Sequence, residues 1–272
     1  MYQVARTAEA AQNAGDMDGS LDDLLAEVAA GRLGPDAAAE RLRRFGYTAV
    51  GDYARLDVSR AARKGVPEVV YAEGKTADQV VEIVRRFLEH GPAVLCSRVT
   101  PEQAAALAAG VDGEVEHDER SRVVTVRRRG AQAPATRGVV GVLAAGTSDL
   151  PAAGEAVAMC RAMDVAVVTA YDVGVAGLHR LATPVEELRE AGAAAVVVAA
   201  GMEGALPSVV AGLVDVPVIG LPTSTGYGFG GRGEAALLGM LQSCSPGLVV
   251  VNIDNGIGAG ATAALIARRS AG

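Results

Sequence analysis

Cys244 stands in "LQSCSPGLVVVNIDNG", residues 241–256, directly before an apolar run and followed by Ser245, Pro246 and Gly247. Such a cysteine is either a small apolar plug or a nucleophile, and the second role needs a thiolate stabilised by a nearby cation. Position favours the plug, because chemistry in open α/β sheets gathers past the carboxyl ends of strands and Cys244 precedes its strand. Carboxylates occupy the other ends. Glu203, in "AAGMEGALPS", lies between Gly201 and Gly204, where it serves a helix dipole or acts as a general base, and the glycines are expected to admit a ligand closely. In "AGTSDLPAAGEA", Gly146 permits a tight turn, Thr147 and Ser148 offer hydroxyls, and Asp149 is expected to cap the next helix, whose free amides attract phosphate.

Two further segments carry candidates. "AYDVGVAGLHRLATP" supplies Asp172 for ribose hydroxyls, with His179 and Arg180 for phosphate contact or proton transfer. In "DNGIGAGATAALIA", Asp254 and Asn255 end the last strand, and Gly256, Gly258 and Gly260 are expected to let a helix start against a ligand or a neighbouring chain. Between them, five glycines from Gly226 to Gly233 read as a covering loop or a nucleotide lid. Neither a Walker loop nor a Rossmann fingerprint fits that stretch.

The elements that must position these groups show a regular rhythm. "VVGVLAAG", "VAVVTA", "AAVVVAAG", "VPVIGLP" and "LVVVNID" are continuous apolar runs separated by helix-forming stretches, the pattern of a parallel sheet covered on both faces. This predicts a three-layer α/β domain over residues 138–272. Ahead of it, "GAQAPATRG" reads as a linker, with 131–137 as its core, and residues 19–130 as a smaller α+β domain. That domain opens with two amphipathic helices, "SLDDLLAEVAAG" and "PDAAAERLRRFG". In its mixed part "PEVVYAEG" and "AVLCS" read as strands flanking the helix "TADQVVEIVRRFLEHG", and "GEVEHD" with "RVVTVRR" as a hairpin. Residues 1–18 read as a loose tail.

Composition excludes several classes. A net charge of -7 and the absence of Trp argue against nucleic-acid binding, which needs clustered cations and favours stacking rings. No apolar stretch is long enough to span a bilayer, and no secretory leader is visible, so a soluble cytoplasmic protein is expected. Cys96, Cys160 and Cys244 show no metal-ligand spacing, so neither a disulfide framework nor a metal site is expected.

Taken together, the strand-end motifs resemble the PurE class of aminoimidazole ribonucleotide carboxylases and mutases, and more closely the LarB family, which builds a nickel-pincer nucleotide cofactor. "AGTSD" resembles the PurE Gly-Ser-x-Ser-Asp turn, "LHRLATP" its Ala-His-Arg-Thr-Pro stretch, and "AAGMEGALPS" its Ala-Gly-Gly-Ala-Ala-His-Leu-Pro-Gly. PurE enzymes carry histidine where this chain has Ala205, and Gln-Met-Pro-x-Gly where it has Gln242 to Gly247 with Cys244. Both departures are LarB-like. "LDVSRAARKGVPEVVYAEGKT", with Asp57, Arg60, Arg63, Gly65, Pro67, Glu68, Gly74 and Lys75, resembles the LarB signature that PurE lacks.

The resemblance implies a PurE-like, flavodoxin-like C-terminal fold and an enzyme that carboxylates the pyridinium ring of nicotinic acid adenine dinucleotide at C5 with CO2 or bicarbonate. It also implies hydrolysis of the phosphoanhydride, giving pyridinium-3,5-biscarboxylic acid mononucleotide and AMP. It reverses the reading of Cys244, which becomes the nucleophile, with Glu203 as base and Asp149 or Asp254 as substitutes. Gly146, Thr147, Ser148, Asp172, His179, Arg180, Gly201, Met202, Gly226, Asp254 and Asn255 are expected at the substrate, with Arg60, Arg63, Lys75 and Arg180 toward phosphates and carboxylates. No tightly bound cofactor is expected, and Mg2+ enters only as an aid to hydrolysis. A homo-octamer is expected from the PurE relatives. The alternatives are a PurE-type mutase, which Ala205 and Cys244 oppose, and a non-catalytic nucleotide-binding module in which Cys244 is packing.

Overall fold

The computed structural model describes residues 21–44, 48–131 and 135–271, so the expected tail and part of the linker lie outside the described residues. The chain forms two compact units, Met1–Tyr47 and Thr48–Gly272. The first contains helices α1 (Leu21–Ala29) and α2 (Pro35–Arg44), joined through Gly31 in a left-handed conformation.

The second unit opens with a short antiparallel hairpin, β1 (Thr48–Val50) and β2 (Ala54–Leu56), and helix α3 (Arg60–Lys64). Next come β3 (Val69–Tyr71), α4 (Ala77–His90), β4 (Ala93–Ser97), α5 (Pro101–Gly110), β5 (Glu114–Asp118) and β6 (Val123–Arg127). The strands form one sheet in the order β3-β4-β6-β5, with β5 and β6 antiparallel as their alternation predicts. The hairpin at Thr48–Leu56 and helix α5 are elements that the sequence pattern did not mark out. α4 and α5 both start on full capping boxes, Thr76 with Gln79 and Thr100 with Gln103.

Alternation within β4 and β6 explains how this sheet joins the rest. Val94 and Cys96, with Val124 and Val126, face the core built on α4 and α5. Leu95 and Val123 point the other way, into the core of the following domain.

That domain consists of β7 (Val139–Ala144), α6 (Leu150–Ala162), β8 (Ala166–Ala170), α7 (Ala182–Glu190), β9 (Ala195–Ala200), α8 (Leu206–Ala211), β10 (Val218–Pro222), α9 (Glu234–Leu241), β11 (Leu248–Val250) and α10 (Gly256–Ser270). All five strands are parallel, in the order β11-β10-β9-β7-β8. This is the flavodoxin-like order, and its switch point falls between β7 and β9. Val140, Val142, Ala144, Val197, Ala199, Ile219 and Leu221 face α6 and α10, whereas Leu143, Val196, Val198, Ala200 and Val218 face α7, α8 and α9. Burial on both faces is why the strands read as unbroken apolar runs.

Two of the α10 glycines, Gly256 and Gly260, serve packing inside the chain rather than approach to a ligand or neighbour. A Cβ on Gly256 would come to 2.2 Å from the Ala152 carbonyl, and one on Gly260 to 2.5 Å from that of Ala156. α10 therefore lies directly on the backbone of α6, and Cys160 donates its thiol proton to the Gly260 carbonyl at 3.4 Å. Gly260→Ala is expected to cost about 2 kcal/mol by overpacking, seen as a lower denaturant midpoint at unchanged slope.

Candidate functional site

The carboxyl ends of β7, β9 and β10 meet on one side chain. Asp149 is 4 % exposed and its carboxylate accepts from the Gly146 amide (2.9 Å) and from the Thr223 hydroxyl (2.5 Å), with the Gly201 amide near enough to favour its charge. The Thr225 hydroxyl adds a bond to the Ser148 carbonyl at 3.0 Å, and the Met202 amide one to the Thr225 carbonyl at 2.9 Å. Gly146, Thr147, Ser148, Gly201 and Met202 thus form one cluster at the switch point.

Two expectations are corrected here. Asp149 does not cap the amides of α6 with its side chain; it folds back on Gly146 and reaches across to Thr223. Burial pushes its carboxyl up, opposed by the Thr223, Gly146 and Gly201 hydrogen bonds. Nor do the glycines around Glu203 leave room for a ligand. A Cβ on Gly201 would lie 2.1 Å from the Thr225 carbonyl, and one on Gly204 2.5 Å from the Ala236 carbonyl, so loop and helix backbones already fill both places.

Asp254 ties the end of β11 to this cluster. It holds a left-handed backbone (φ 55°), and its carboxylate accepts from the Ser224 amide at 2.8 Å, between Thr223 and Thr225. Asn255 caps α10, accepting from the Gly258 amide. Asp172 and Arg180 pair with each other at 2.9 Å, and His179 is exposed. Gly226 closes over Met202, the nearest atom to its added Cβ being the Met202 nitrogen at 3.6 Å.

Cys244 lies at the other end of the sheet. The Val218 amide, at the start of β10, donates to the Gly247 carbonyl, which puts Gly247 roughly 16 Å along the strand from Thr223 at about 3.3 Å per residue. Its neighbours are pinned to α8: the Ser208 hydroxyl bonds that of Ser243 at 2.8 Å, and the Ser245 hydroxyl donates to the Ser208 carbonyl at 2.9 Å. Glu203 lies in the turn leading into α8, and α9 presses on it, since a Cβ on Gly239 would come to 2.3 Å from the Glu203 carbonyl. Glu203 and Cys244 are therefore both anchored to the α8 and α9 side, and both are exposed. Cys96 and Cys160 are buried, and burial pushes each thiol up to about 12. Of the three cysteines, Cys244 alone meets solvent.

The N-terminal cations fare differently from one another. Arg63 is held by Asp57, whose carboxyl it pulls below the usual range, and Lys75 donates to the Tyr71 carbonyl at 2.7 Å. Arg60 lines a cleft of about 500 Å³ between the β3–β6 sheet and the parallel-sheet domain. Two residues of that cleft, Arg98 and Glu155, were missed from sequence. Arg98 follows β4 with φ 56°, donates to the Asp254 carbonyl at 2.9 Å and lies 3.6 Å from the Glu155 carboxylate. The signal for Glu155 was available, since "AAGEAVAM" places one acid in an otherwise apolar helix.

Burial raises the Glu155 carboxyl to about 7, against the Arg98 charge and the Ile257 and Gly256 amides that favour its ionised form. A carboxyl raised on folding contributes stability that is complete below its unfolded value near 4.5 and is lost as pH rises through about 7. Glu155→Gln removes that loss. The variant is expected to gain on the wild type in thermal unfolding between pH 5 and pH 8, by a difference of up to about 3 kcal/mol. An equal offset at both pH values would contradict the assignment.

Among the described residues, no group of three or more His, Cys, Asp or Glu is placed to hold a metal ion, and no helix is long and apolar enough to cross a membrane.

Comparison with known proteins agrees with this architecture. Residues 47–129 match the family described as the LarB/PurE-like N-terminal domain, and residues 139–271 match AIR carboxylase. An uncharacterized protein of Methanocaldococcus jannaschii is 39 % identical over 258 residues, covering 93 % of this chain and 98 % of its own. With a LarB-type module over the first of these regions and a flavodoxin-like AIR carboxylase domain over the second, both of carboxylase type, the chain belongs to the LarB family.

Proposed function

We propose that this protein carboxylates the pyridinium ring of nicotinic acid adenine dinucleotide at C5 and hydrolyses its phosphoanhydride, releasing pyridinium-3,5-biscarboxylic acid mononucleotide and AMP for a nickel-pincer cofactor. The observation that carries the reading is the exposed Cys244, fixed between Ser243 and Ser245 on the helix that Glu203 leads into, in a chain whose domains are of carboxylase type.

A pyridinium ring is electron-poor and does not attack CO2. Addition of the Cys244 thiolate forms a C–S bond and gives a neutral dihydropyridine whose C5 is an enamine carbon. C5 then bonds to CO2, leaving an iminium; Glu203 takes the C5 proton; the C–S electron pair leaves with sulfur, and the ring is aromatic again. No oxidant enters, because the thiolate is returned and one proton is released. Water supplies the oxygen that parts AMP from the mononucleotide. Asp254 and Asp149 are the substitute bases, although the bonds on Asp149 suit it better to holding the strand-end loops. No tightly bound cofactor enters these steps. Mg2+, where it assists hydrolysis, is held largely by the substrate phosphates.

Assembly belongs to the same reading. Leu238 and Leu241 of α9 are 66 % and 62 % exposed, on the helix that leads to Cys244, and Val249 is exposed on the edge strand β11. A homo-octamer in the cytoplasm would cover this apolar surface and let a neighbouring copy complete the site around Cys244.

Ala205, where PurE enzymes carry histidine, is what sets this reading above an aminoimidazole ribonucleotide mutase. Offering the purified chain each substrate with labelled bicarbonate separates them. Label in a pyridinium mononucleotide, with AMP, is the expected product; label fixed only on the imidazole would replace this reading with the other, and no turnover of either would leave a binding module.

A further inference from the structure

Cys244 is exposed, yet the chain on either side of it is tied down. The Ser243 hydroxyl accepts from the Ser245 amide at 3.1 Å, a local side-chain turn with Cys244 as its middle residue. Backbone bonds close the segment at both ends: the Ser243 amide donates to the Met240 carbonyl at 3.3 Å, and the Gly247 carbonyl accepts from the Val218 amide at 3.0 Å. Between them Pro246 fixes its own φ and disfavours helical backbone at Ser245.

The turn is referred to one residue of α8. Ser208 commits both of its polar groups to it, the hydroxyl donating to the Ser243 hydroxyl at 2.8 Å and the carbonyl accepting from the Ser245 hydroxyl at 2.9 Å. A hydroxyl oxygen has two acceptor positions, and on Ser243 the Ser208 hydroxyl and the Ser245 amide fill both. Ser208, Ser243 and Ser245 thus close a ring of hydrogen bonds that brackets Cys244 and leaves its thiol in solvent. Glu203 lies in the turn that opens α8, and α9, which packs on the Glu203 carbonyl through Gly239, runs on toward Ser243. Thiol and carboxylate therefore hang from the same two helices, and the Ser208 hydroxyl is a side-chain link between α8 and the Cys244 turn.

We propose that Ser208 is a positioning residue for Cys244, its hydroxyl acting through Ser243 to set where the sulfur stands relative to Glu203. It touches no reacting atom. The inference rests on the covalent reading above and adds to it the residue that aims the nucleophile. Addition to a ring carbon needs the sulfur held in line at close range, and a misplacement of about 1 Å costs on the order of a hundredfold in rate.

Steady-state carboxylation of nicotinic acid adenine dinucleotide by the full chain, followed with labelled bicarbonate, tests it. Ser208→Ala is expected to lower kcat about thirtyfold with KM within about twofold of wild type, because substrate still binds but meets a misaimed thiol. Ser208→Thr keeps the hydroxyl and is expected to recover kcat to within about threefold of wild type. Ser243→Ala removes the acceptor of the same bond, so adding Ser208→Ala to it should cost less than about a further twofold. Iodoacetamide is small and needs no alignment, and Cys96 and Cys160 are buried, so the alkylation rate of Cys244 should be the same in Ser208→Ala as in wild type. Thermal unfolding checks that each variant is folded at the assay temperature; should Ser208→Ala not fold, Ser243→Ala against Ser243→Thr makes the same comparison from the other end of the bond. Unchanged kcat in Ser208→Ala, no recovery in Ser208→Thr, independent losses in the double variant, or alkylation slowed as far as kcat would overturn the proposal. Wild-type carboxylation that Ser208→Ala leaves intact sinks this inference alone, whereas no carboxylation by wild type sinks the dinucleotide reading and this inference with it.

Discussion

Cys244→Ser is expected to lower incorporation of bicarbonate carbon by at least about a thousandfold, the scale on which removing a covalent nucleophile acts. Serine keeps the size and the polar character but is far less nucleophilic near neutral pH, so the ring is never converted to an enamine. The fold should not notice. Cys244 is exposed, and the loop around it is pinned by Ser243 and Ser245 on Ser208, none of which the substitution touches. Unfolding free energy should stay within about 0.5 kcal/mol of wild type, as for surface substitutions. The same change at Cys160 would behave in the opposite way, disturbing the packing of α6 on α10 while leaving the nucleophile in place. A Cys244→Ser enzyme with full activity would return the residue to the plug that its position first suggested.

Asp149→Ala is expected to be the most damaging change at the strand ends, through stability and activity together. The Gly146 amide and the Thr223 hydroxyl would lose their common acceptor in a buried setting. An unsatisfied buried donor costs about 1–3 kcal/mol, so a loss of roughly 3 kcal/mol is expected after partial relaxation, measured as a shift of the denaturant midpoint. Because the same carboxylate ties three loops together, kcat/KM should fall about a hundredfold as the reacting groups lose register. Asp149→Asn separates positioning from proton transfer. The amide keeps one acceptor oxygen at nearly the same place, so a positioning role predicts substantial recovery of both stability and rate. If Asp149 is the base, Asn should be as inactive as Ala despite recovered stability.

Much of this architecture was legible because local chemistry and global fold agree. The five apolar runs became five parallel strands, since a strand buried on both faces has no polar positions to interrupt it. The helix read in "TADQVVEIVRRFLEHG" is α4, opened by the capping box of Thr76 with Gln79. The strand-end motifs were legible for the same reason, as Gly146 to Asp149 and Gly201 to Glu203 follow their strands directly.

What sequence could not supply was the partner of each polar group. Asp149 reads as a helix cap until Thr223, 74 positions away, is placed beside it. Gly201 and Gly204 look like openings for a ligand until the Thr225 and Ala236 backbones occupy them. Arg98 and Glu155 belong to different domains, and neither looks reactive until the β4 end is brought against α6. Periodicity reports which face of an element is buried, not which residue waits on the other side. The Cys244 segment shows this most clearly: the rule that sites lie past strand ends argues against it, and what the fold adds is its exposure and the bonds of Ser243 and Ser245 to Ser208.

The account stands on a covalent bond between substrate and one thiol, and intact-protein mass spectrometry of the full chain, quenched during turnover of nicotinic acid adenine dinucleotide, tests this most directly. The predicted result is a mass gain of one pyridine nucleotide, mapped to the peptide around Cys244, that vanishes in Cys244→Ser. Turnover with no adduct, or an adduct retained in Cys244→Ser, would contradict it.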